Sequence, residues 1–286
     1  MTYLKLLFAT IFWGASFTAG KVAVKYLPVF TVAFYRFFIS SIILIFILKK
    51  LNINFTFKFF KKCVIGGITG VFLYNYFFLK GLQLTDASKA SIIVASNPVI
   101  TALITGLFLK EKLSLKNYLG VLLSFFGVVF IISKGEISTI FSNQLNFGDI
   151  LIVFAAFSWS AYTIFGKIAL NKISAVESTT YAILWGTIFL LPFYINDLFN
   201  SIMIVNLKVI ISLIILSIFT TVLGFLWFYE GIKGIGATKA SAFIFLVPVF
   251  GSLFGILILH EKLNLSMIFG GFMTLCGVYL TNKNFK

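Results

Sequence analysis

The chain has 286 residues, of which 60% are apolar and only 11% are charged, and its formal net charge is +15. Soluble domains contain about 45–50% apolar and about 25% charged residues. The composition therefore excludes a soluble enzyme, a nucleic-acid-binding protein and a disordered chain. The apolar residues form unbroken runs and do not alternate with polar ones, which excludes a water-filled outer-membrane barrel.

Ten apolar runs follow one another between clusters of charged or turn-forming residues, and each approaches the roughly 20 residues that a transmembrane helix needs. They cover residues 3–25, 30–48, 62–82, 87–109, 115–133, 148–170, 176–195, 206–230, 238–259 and 265–282. We predict an all-α polytopic membrane protein with ten transmembrane helices. The longest polar break, 134–147, divides the chain into two halves of five helices.

Basic residues collect on one side of the predicted helices. If the N-terminus is cytoplasmic, 15 of the 23 Lys and Arg residues lie at inner ends and loops and seven lie outside, with Arg36 inside a span. Cytoplasmic loops of membrane proteins are enriched in Lys and Arg. We therefore expect both termini in the cytoplasm, a bacterial-type inner (plasma) membrane, and the Phe- and Lys-rich segment 52–62 along the inner interface.

The two halves repeat one sequence pattern at an offset of 150 residues. Residues 78–99, FLKGLQLTDASKASIIVASNPV, align with residues 228–249, FYEGIKGIGATKASAFIFLVPV. A repeat of five helices enters the membrane from the opposite side the second time. We predict two inverted five-helix repeats, 1–135 and 146–286, an architecture typical of secondary transporters that work by alternating access. The alternative is a duplicated scaffold without transport.

The motifs WGASF (13–17), YRF (35–37), FSWSAYTIFGK (157–167) and the two runs 87–127 and 237–277 resemble the EamA-type ten-helix exporters of the drug/metabolite transporter superfamily. The resemblance covers almost the whole chain. It implies a central cavity lined by helices 1, 3, 4, 6, 8 and 9, and a strut formed by helices 5 and 10. It also implies export of small molecules, because family members export amino acids, cysteine-related metabolites, purines and drugs.

Repeat-related aromatic residues are candidates for the walls of this cavity. Trp13 and Ser16 in the first helix correspond to Trp159 and Tyr162 in the sixth, and each pair shares one helix face. The alternative is core packing or an interfacial aromatic belt. The other candidates are Tyr74 and Trp227, which the resemblance places in the same space, and the small polar residues Ser91, Asn97 and Ser241.

Arg36 is the single arginine of the chain and lies about six residues, or roughly 9 Å, into the second predicted helix. A charge at that depth is expensive and usually functional, which makes Arg36 a further cavity candidate. The alternatives are a structural pair with Asp86 or Asp197, or a side chain that reaches back to the interface.

Two kinds of backbone-shaping residue recur in both halves. Pro98 and Pro248 lie near the middle of predicted helices 4 and 9, where each bends its helix and acts either as a hinge or as a static kink. The glycines Gly120, Gly127, Gly270 and Gly277 lie on one face of helices 5 and 10. Small residues allow close backbone approach in lipid, so these four predict a packing seam.

None of the eight acidic residues lies in the middle of a predicted span. Proton-coupled antiport of drugs needs a membrane-embedded carboxylate, so the sequence favours facilitated diffusion or exchange of polar, zwitterionic solutes such as amino acids. Glu230, at the inner end of the eighth span, is the best remaining coupling candidate. The alternatives are a proton-coupled multidrug exporter of lipophilic cations and, in another class, a membrane enzyme or scaffold.

The chain contains no pattern for a bound cofactor. Its two cysteines, Cys63 and Cys276, and its single histidine predict neither a disulfide framework nor a metal site. We expect a non-enzymatic protein without cofactor or metal. Its partners are the lipid bilayer and a small-molecule substrate, with no nucleic acid, and it is a monomer or weak homodimer.

Overall fold

The structure is a computed structural model that describes residues 1–84, 93–94, 96–109, 113–133, 135–136, 146–200, 205–259 and 265–283. Within these ranges every regular element is helical. The main helices are α1 (Thr2–Val24), α2 (Val29–Lys50), α3 (Val64–Gly66, Gly67–Leu73 and Tyr74–Leu84), α4 (Asn97–Phe108), α5 (Leu115–Ile132), α6 (Phe147–Leu170), α7 (Ala175–Asn200), α8 (Leu207–Ile214, Ile215–Leu223 and Gly224–Ile235), α9 (Ala237–Ala242, Phe243–Phe245 and Leu246–Leu259) and α10 (Leu265–Asn282). A short helix, Phe57–Lys62, lies in the segment that the sequence predicts to be interfacial.

The helices suit a membrane in length and in surface chemistry. In the described part of the chain, four of them are long and apolar enough to cross a bilayer, Val29–Lys50, Phe147–Leu170, Ala175–Phe199 and Leu207–Ile235. Large apolar side chains such as Phe46 and Leu107 are exposed, whereas the hydroxyls of Ser41 and Thr187 are buried and hydrogen-bonded to each other at 3.1 Å. This pattern reverses that of a soluble protein, because polar groups pair inside and apolar groups face lipid.

Several helices begin where a side chain caps the free N–H groups of the first turn. Ser114 accepts from the Asn117 N–H, and Asn117 accepts in return from the Ser114 N–H, at the start of α5. Asn146 and Asp149 form the same reciprocal pair at the start of α6. These capping boxes explain why the sequence ends its loops at these residues.

Helices α5 and α10 pack antiparallel along their small residues. A Cβ atom added to Gly120 would lie 2.5 Å from the Thr281 nitrogen, and one added to Gly270 would lie 2.6 Å from the Gly127 carbonyl oxygen. The Ser124 hydroxyl donates to the Thr274 carbonyl at 3.2 Å. The two backbones approach so closely because these positions carry almost no side chain.

Helices α3 and α8 each change to a π-helical turn in the middle, over Gly67–Leu73 and Ile215–Leu223. The two turns end at repeat-equivalent positions, since Leu73 and Leu223 are 150 residues apart. In α8 the Thr221 hydroxyl donates to the Leu216 carbonyl, five residues earlier, at 2.8 Å. A π turn adds a residue to the helix, rotates the side chains that follow, and is frequent at functional sites.

The two symmetric prolines lie at helix breaks instead of inside continuous helices. Pro98 occupies the first turn of α4, which begins at Asn97, where the missing N–H costs nothing. Pro248 follows a 3₁₀ turn, Phe243–Phe245, that separates two α-helical parts of α9. Proline removes the hydrogen bond to the fourth residue back, which explains the broken helix before each of them. Their role as hinges stays a prediction.

Candidate functional site

Six aromatic side chains from four helices meet near the centre of the bundle. We call them the ring cluster: Trp13 of α1, Tyr74 of α3, Trp159 and Tyr162 of α6, and Phe225 and Phe228 of α8. Tyr74 follows directly after the π turn of α3, and Phe225 lies two residues beyond the end of the π turn of α8. The π turns therefore set which side chains of α3 and α8 point to the centre.

Trp159 lies in the middle of this cluster and contacts every other member. Its ring centroid lies 5.6 Å from that of Trp13, with the two planes at 90°, and 5.0 Å from that of Tyr74. The centroids of Tyr162 and Phe225 lie 5.2 and 5.3 Å away. Offset and edge-to-face pairs at these distances are favourable for aromatic rings, so the cluster forms a rigid apolar wall.

The two tryptophans that the repeat relates differ in their hydrogen bonds. The Trp13 Nε1–H donates to the Thr220 carbonyl, within the π turn of α8, at 2.9 Å. The Trp159 Nε1–H is buried and has no acceptor among the described residues, and the same is true of the Tyr162 hydroxyl. Buried donors without a partner are rare in folded proteins. Two such donors on one face of α6 mark the place where hydrogen bonds to a polar ligand would contribute most to binding.

Arg36 extends from α2 towards the ring cluster. Its Nε–H donates to the Thr221 hydroxyl of α8 at 2.7 Å. Its guanidinium carbon lies 4.9 Å from the Phe37 ring centroid and 5.9 Å from that of Phe225. The structural pair with Asp197 that the sequence left open does not form, because Asp197 accepts from the Thr31 N–H at 3.1 Å. Asp86 lies outside the described residues.

Other candidates from the sequence lie in different surroundings. Ser241 is buried and donates to the Ala237 carbonyl of its own helix at 2.7 Å. Asn97 is buried, and its backbone carbonyl accepts from the Ser160 hydroxyl at 3.2 Å. Ser91 lies outside the described residues. Ser16, like Ser241, donates to a carbonyl of its own helix, that of Trp13, at 2.6 Å.

Trp227 lies apart from the ring cluster. Its ring centroid lies 6.3 Å from that of Phe8 and 5.9 Å from that of Phe12, and it has no ring contact with Tyr74 among the described residues. Phe8 is 42% exposed, so this face of the bundle points outward. The resemblance places Trp227 in the same space as Tyr74, whereas in the structure Phe225 and Phe228 are the residues of α8 that contact Trp159.

Glu230, the coupling candidate, is bound to a lysine near the start of the chain. The Lys5 Nζ lies 2.5 Å from the Glu230 Oε2, and the two side chains are 39% and 33% exposed. This ion pair joins the first turn of α1 to the last part of α8. It lies at the end of the bundle that contains the N-terminus.

A cavity of about 470 Å³ opens at the opposite end of α1. Val24 of α1, Phe30 of α2, Tyr76 and Lys80 of α3 and Asp197 of α7 are among the residues that line it. We call it the vestibule. From Phe30 to Arg36 is six residues along α2, or about 9 Å. The vestibule is thus open at one end of the bundle, while an ion pair joins two helices at the other end.

Sequence reasoning did not single out Phe225, Phe228, Thr221 or the vestibule. The two phenylalanines were indistinguishable among the 37 of the chain. Their spacing of three residues directly beyond the polar pair Thr220–Thr221 was the one available signal, because hydroxyls that bond back to their own helix often bend it.

Comparison with known proteins gives a consistent result. The model of the EamA-like transporter family matches residues 1–133 and again 146–283. An uncharacterized transporter of Archaeoglobus fulgidus is 34% identical over 98% of this chain and 96% of its own length. The uncharacterized transporter YyaM of Bacillus subtilis is 32% identical over 86% of this chain and 82% of its own length.

More distant similarities agree with this result. A chloroplastic WAT1-related protein of Arabidopsis thaliana is 26% identical over 95% of this chain and 67% of its own length. One solved crystal structure superposes with a TM-score of 0.81 over 98% of this chain and 96% of the other, at 16% identity. At that identity the superposition shows the fold alone.

Proposed function

The chain belongs to the EamA-like transporter family, and from that premise we propose that it exports small metabolites, amino acids foremost, by alternating access through a central cavity. It is a multi-pass membrane transporter and not an enzyme. The observation that carries the proposal is the ring cluster. There, repeat-related tryptophans from both halves, Trp13 and Trp159, meet beside buried donors that have no partner among the described residues.

The contacts between helices support two inverted five-helix repeats, 1–135 and 146–286, and with them ten transmembrane helices. Gly120 lies against Gly277 and Gly127 against Gly270, and a shift of 150 residues exchanges these two pairs. Such an exchange requires a two-fold relation, and the antiparallel course of α5 and α10 is what inversion produces. Other helix pairs follow the same rule, since α1 packs on α8 as α6 packs on α3.

The two ends of the bundle support an outward-open state within an alternating-access cycle. The vestibule opens beside the C-terminal end of α1, whereas an ion pair between Lys5 and Glu230 joins α1 to α8 at the end with the N-terminus. The excess of Lys at that end supports a cytoplasmic position for both termini in a bacterial-type inner membrane. Exchange of the two repeat conformations would open the inner end and close the vestibule.

The runner-up is a proton-coupled exporter of lipophilic cations. Such a transporter needs an embedded carboxylate that proton and drug share. Of the acids that the structure describes, Asp149 and Glu177 lie at helix starts and Glu230 is paired with Lys5. The Trp159 indole N–H of the ring cluster can only donate, which favours a solute that carries acceptor groups.

The test is efflux from proteoliposomes that contain the purified full-length protein. They are loaded with labelled threonine, cysteine, tryptophan or methionine, and efflux is recorded with and without a pH gradient. We expect saturable efflux that does not follow the gradient and that falls at least about tenfold in Trp159→Ala, because the centre of the cavity wall is lost.

Trp185→Ala is the matched control for this test. Trp185 stacks on Phe60 at 4.7 Å and donates to the Phe60 carbonyl, outside the ring cluster. We expect it to leave the half-saturating concentration unchanged. Efflux driven by the pH gradient would instead point to Glu230 and to coupled antiport. Absence of efflux for every amino acid would overturn amino acids as the substrate class.

A further inference from the structure

We infer that the ring cluster binds the carboxylate group of the transported molecule, with the Arg36 guanidinium and the Trp159 indole N–H as its donors. The inference rests on the proposed function, because it names the part of the substrate that this site recognises. It also favours zwitterionic solutes such as amino acids over lipophilic cations, the two substrate classes that the sequence left open.

The charge of Arg36 is uncompensated within the described residues. One donor, Nε–H, is bound to the Thr221 hydroxyl, and the two terminal amino groups have no acceptor there. The ion pair between Lys5 and Glu230 lies at the end of the bundle away from the vestibule. Aromatic rings lie under the guanidinium, but they contribute less than a carboxylate would. A charge within an apolar bundle normally pairs with an opposite charge.

The described acids of the neighbouring helices are occupied elsewhere. Asp149 accepts from the N–H of its capping residue at 2.8 Å, and Glu177 accepts from the Ser174 N–H at 2.8 Å at the start of α7. Asp197 accepts from the N–H in the first turn of α2. None of these described acids pairs with the guanidinium, and Asp86 lies outside the described residues. We take the carboxylate of the transported molecule as the partner.

Trp159 supplies a second donor, and its side chain lies beside the same Phe225 ring as the Arg36 guanidinium. Its side chain is only 6% exposed, and Nε1–H has no acceptor in the described part of the chain. The Phe225 centroid lies 5.3 Å from the Trp159 ring and 5.9 Å from the Arg36 guanidinium carbon. Tyr74 contacts the Trp159 ring at 5.0 Å. The Phe225 ring thus lies beside both donor-bearing side chains.

A site with donors, a positive charge and no acceptor selects its ligand by charge. The two free amino groups of a guanidinium match the two oxygens of a carboxylate in a planar, bidentate pair. The indole N–H adds a third bond to one of those oxygens. A lipophilic cation would meet the guanidinium with like charge and would leave every donor unpaired, so the site rejects it.

The first experiment compares four matched molecules on the purified full-length protein in detergent. Leucine and 4-methylpentanoate carry the carboxylate, whereas 3-methylbutylamine and leucine methyl ester lack it. Thermal unfolding is followed as each compound is added, because a ligand of the folded state raises the melting temperature. We expect stabilisation by the two carboxylates and none by the amine or the ester. Inorganic phosphate at equal ionic strength is a fifth probe.

The second experiment uses three variants and a control. Arg36→Gln is expected to raise the leucine concentration for half-maximal stabilisation about 10- to 100-fold, because a charge-assisted pair is lost. Arg36→Lys keeps the charge but cannot form the bidentate pair. Its leucine concentration for half-maximal stabilisation should therefore lie between those of the wild type and Arg36→Gln. Trp159→Phe keeps an aromatic ring but loses the N–H donor, and it should raise the leucine concentration for half-maximal stabilisation about 3- to 10-fold. Lys172→Gln, an exposed lysine beyond α6, removes one positive charge and should change nothing.

Four results would overturn the inference. They are stabilisation by 3-methylbutylamine or the ester equal to that by leucine, stronger stabilisation by phosphate than by either carboxylate, equal leucine affinity in Arg36→Gln, and no stabilisation of the wild type by any carboxylate. If proteoliposomes still transport some other solute in any of these cases, the transport proposal stands and only the carboxylate site fails.

Discussion

At the seam between α5 and α10 the two repeats make the same contacts, with Gly120 against Gly277 and Gly127 against Gly270. At the ring cluster their equivalent residues behave differently. The Trp13 Nε1–H is bound to the Thr220 carbonyl, whereas the Trp159 Nε1–H has no acceptor among the described residues. The symmetry of the repeat is thus preserved at the seam, where its residues pack one helix against another. It diverges at the ring cluster, where we propose that one asymmetric molecule is recognised.

The largest effect is expected from a methyl group added at the seam. Gly120→Ala and Gly270→Ala each place a Cβ within 2.7 Å of backbone atoms of the opposite helix, so the helices must separate. We expect each to cost about 1–3 kcal/mol or more in unfolding free energy, and the two losses to be similar. Thermal unfolding of the purified protein measures both.

Gly20→Ala is the matched control for the seam, because a Cβ there would meet nothing within 4 Å. It should leave the unfolding temperature unchanged or slightly higher, since alanine is the better helix former. A loss at Gly120 without a comparable loss at Gly270 would contradict the symmetry of the seam.

A smaller effect separates the two tryptophans. Trp13→Phe removes the hydrogen bond to the Thr220 carbonyl and should lower the unfolding free energy by about 1–2 kcal/mol. Trp159→Phe removes a donor that has no acceptor in the described structure, so it should lose only the packing of the larger ring, a loss that Trp13→Phe shares. Thermal unfolding without ligand measures this difference. Equal losses in the two variants would show that the ring cluster is as symmetric as the seam.

The smallest effect is expected at the ion pair between Lys5 and Glu230. Both side chains are more than 30% exposed, and exposed ion pairs contribute about 0–1 kcal/mol. Glu230→Gln should therefore barely change thermal unfolding, and efflux should still ignore a pH gradient. If wild-type efflux followed the gradient and the variant lost that response, Glu230 would be the coupling residue.

Much of the architecture follows from local pattern. Apolar runs predict the helices, and Ser114 before α5 is a cap that its residue type already favours. The repeat shows that Trp13 and Trp159 correspond, but only the structure shows that their rings meet. Trp227 illustrates the limit, since the resemblance places it beside Tyr74, whereas Phe225 and Phe228 are the residues of α8 that contact Trp159.

The unbroken apolar composition, the 150-residue repeat and the stripe of small residues are properties of consecutive amino acids, so the residues alone establish a helical membrane protein with two related halves. Which donors remain without acceptors depends on atoms far apart in the chain. Arg36 and Thr221 are 185 positions apart, so only the packed helices show that the Arg36 Nε–H is bound. The packing also shows that the two amino groups of Arg36 have no acceptor among the described residues. The protein's selectivity is expected to lie in those free groups.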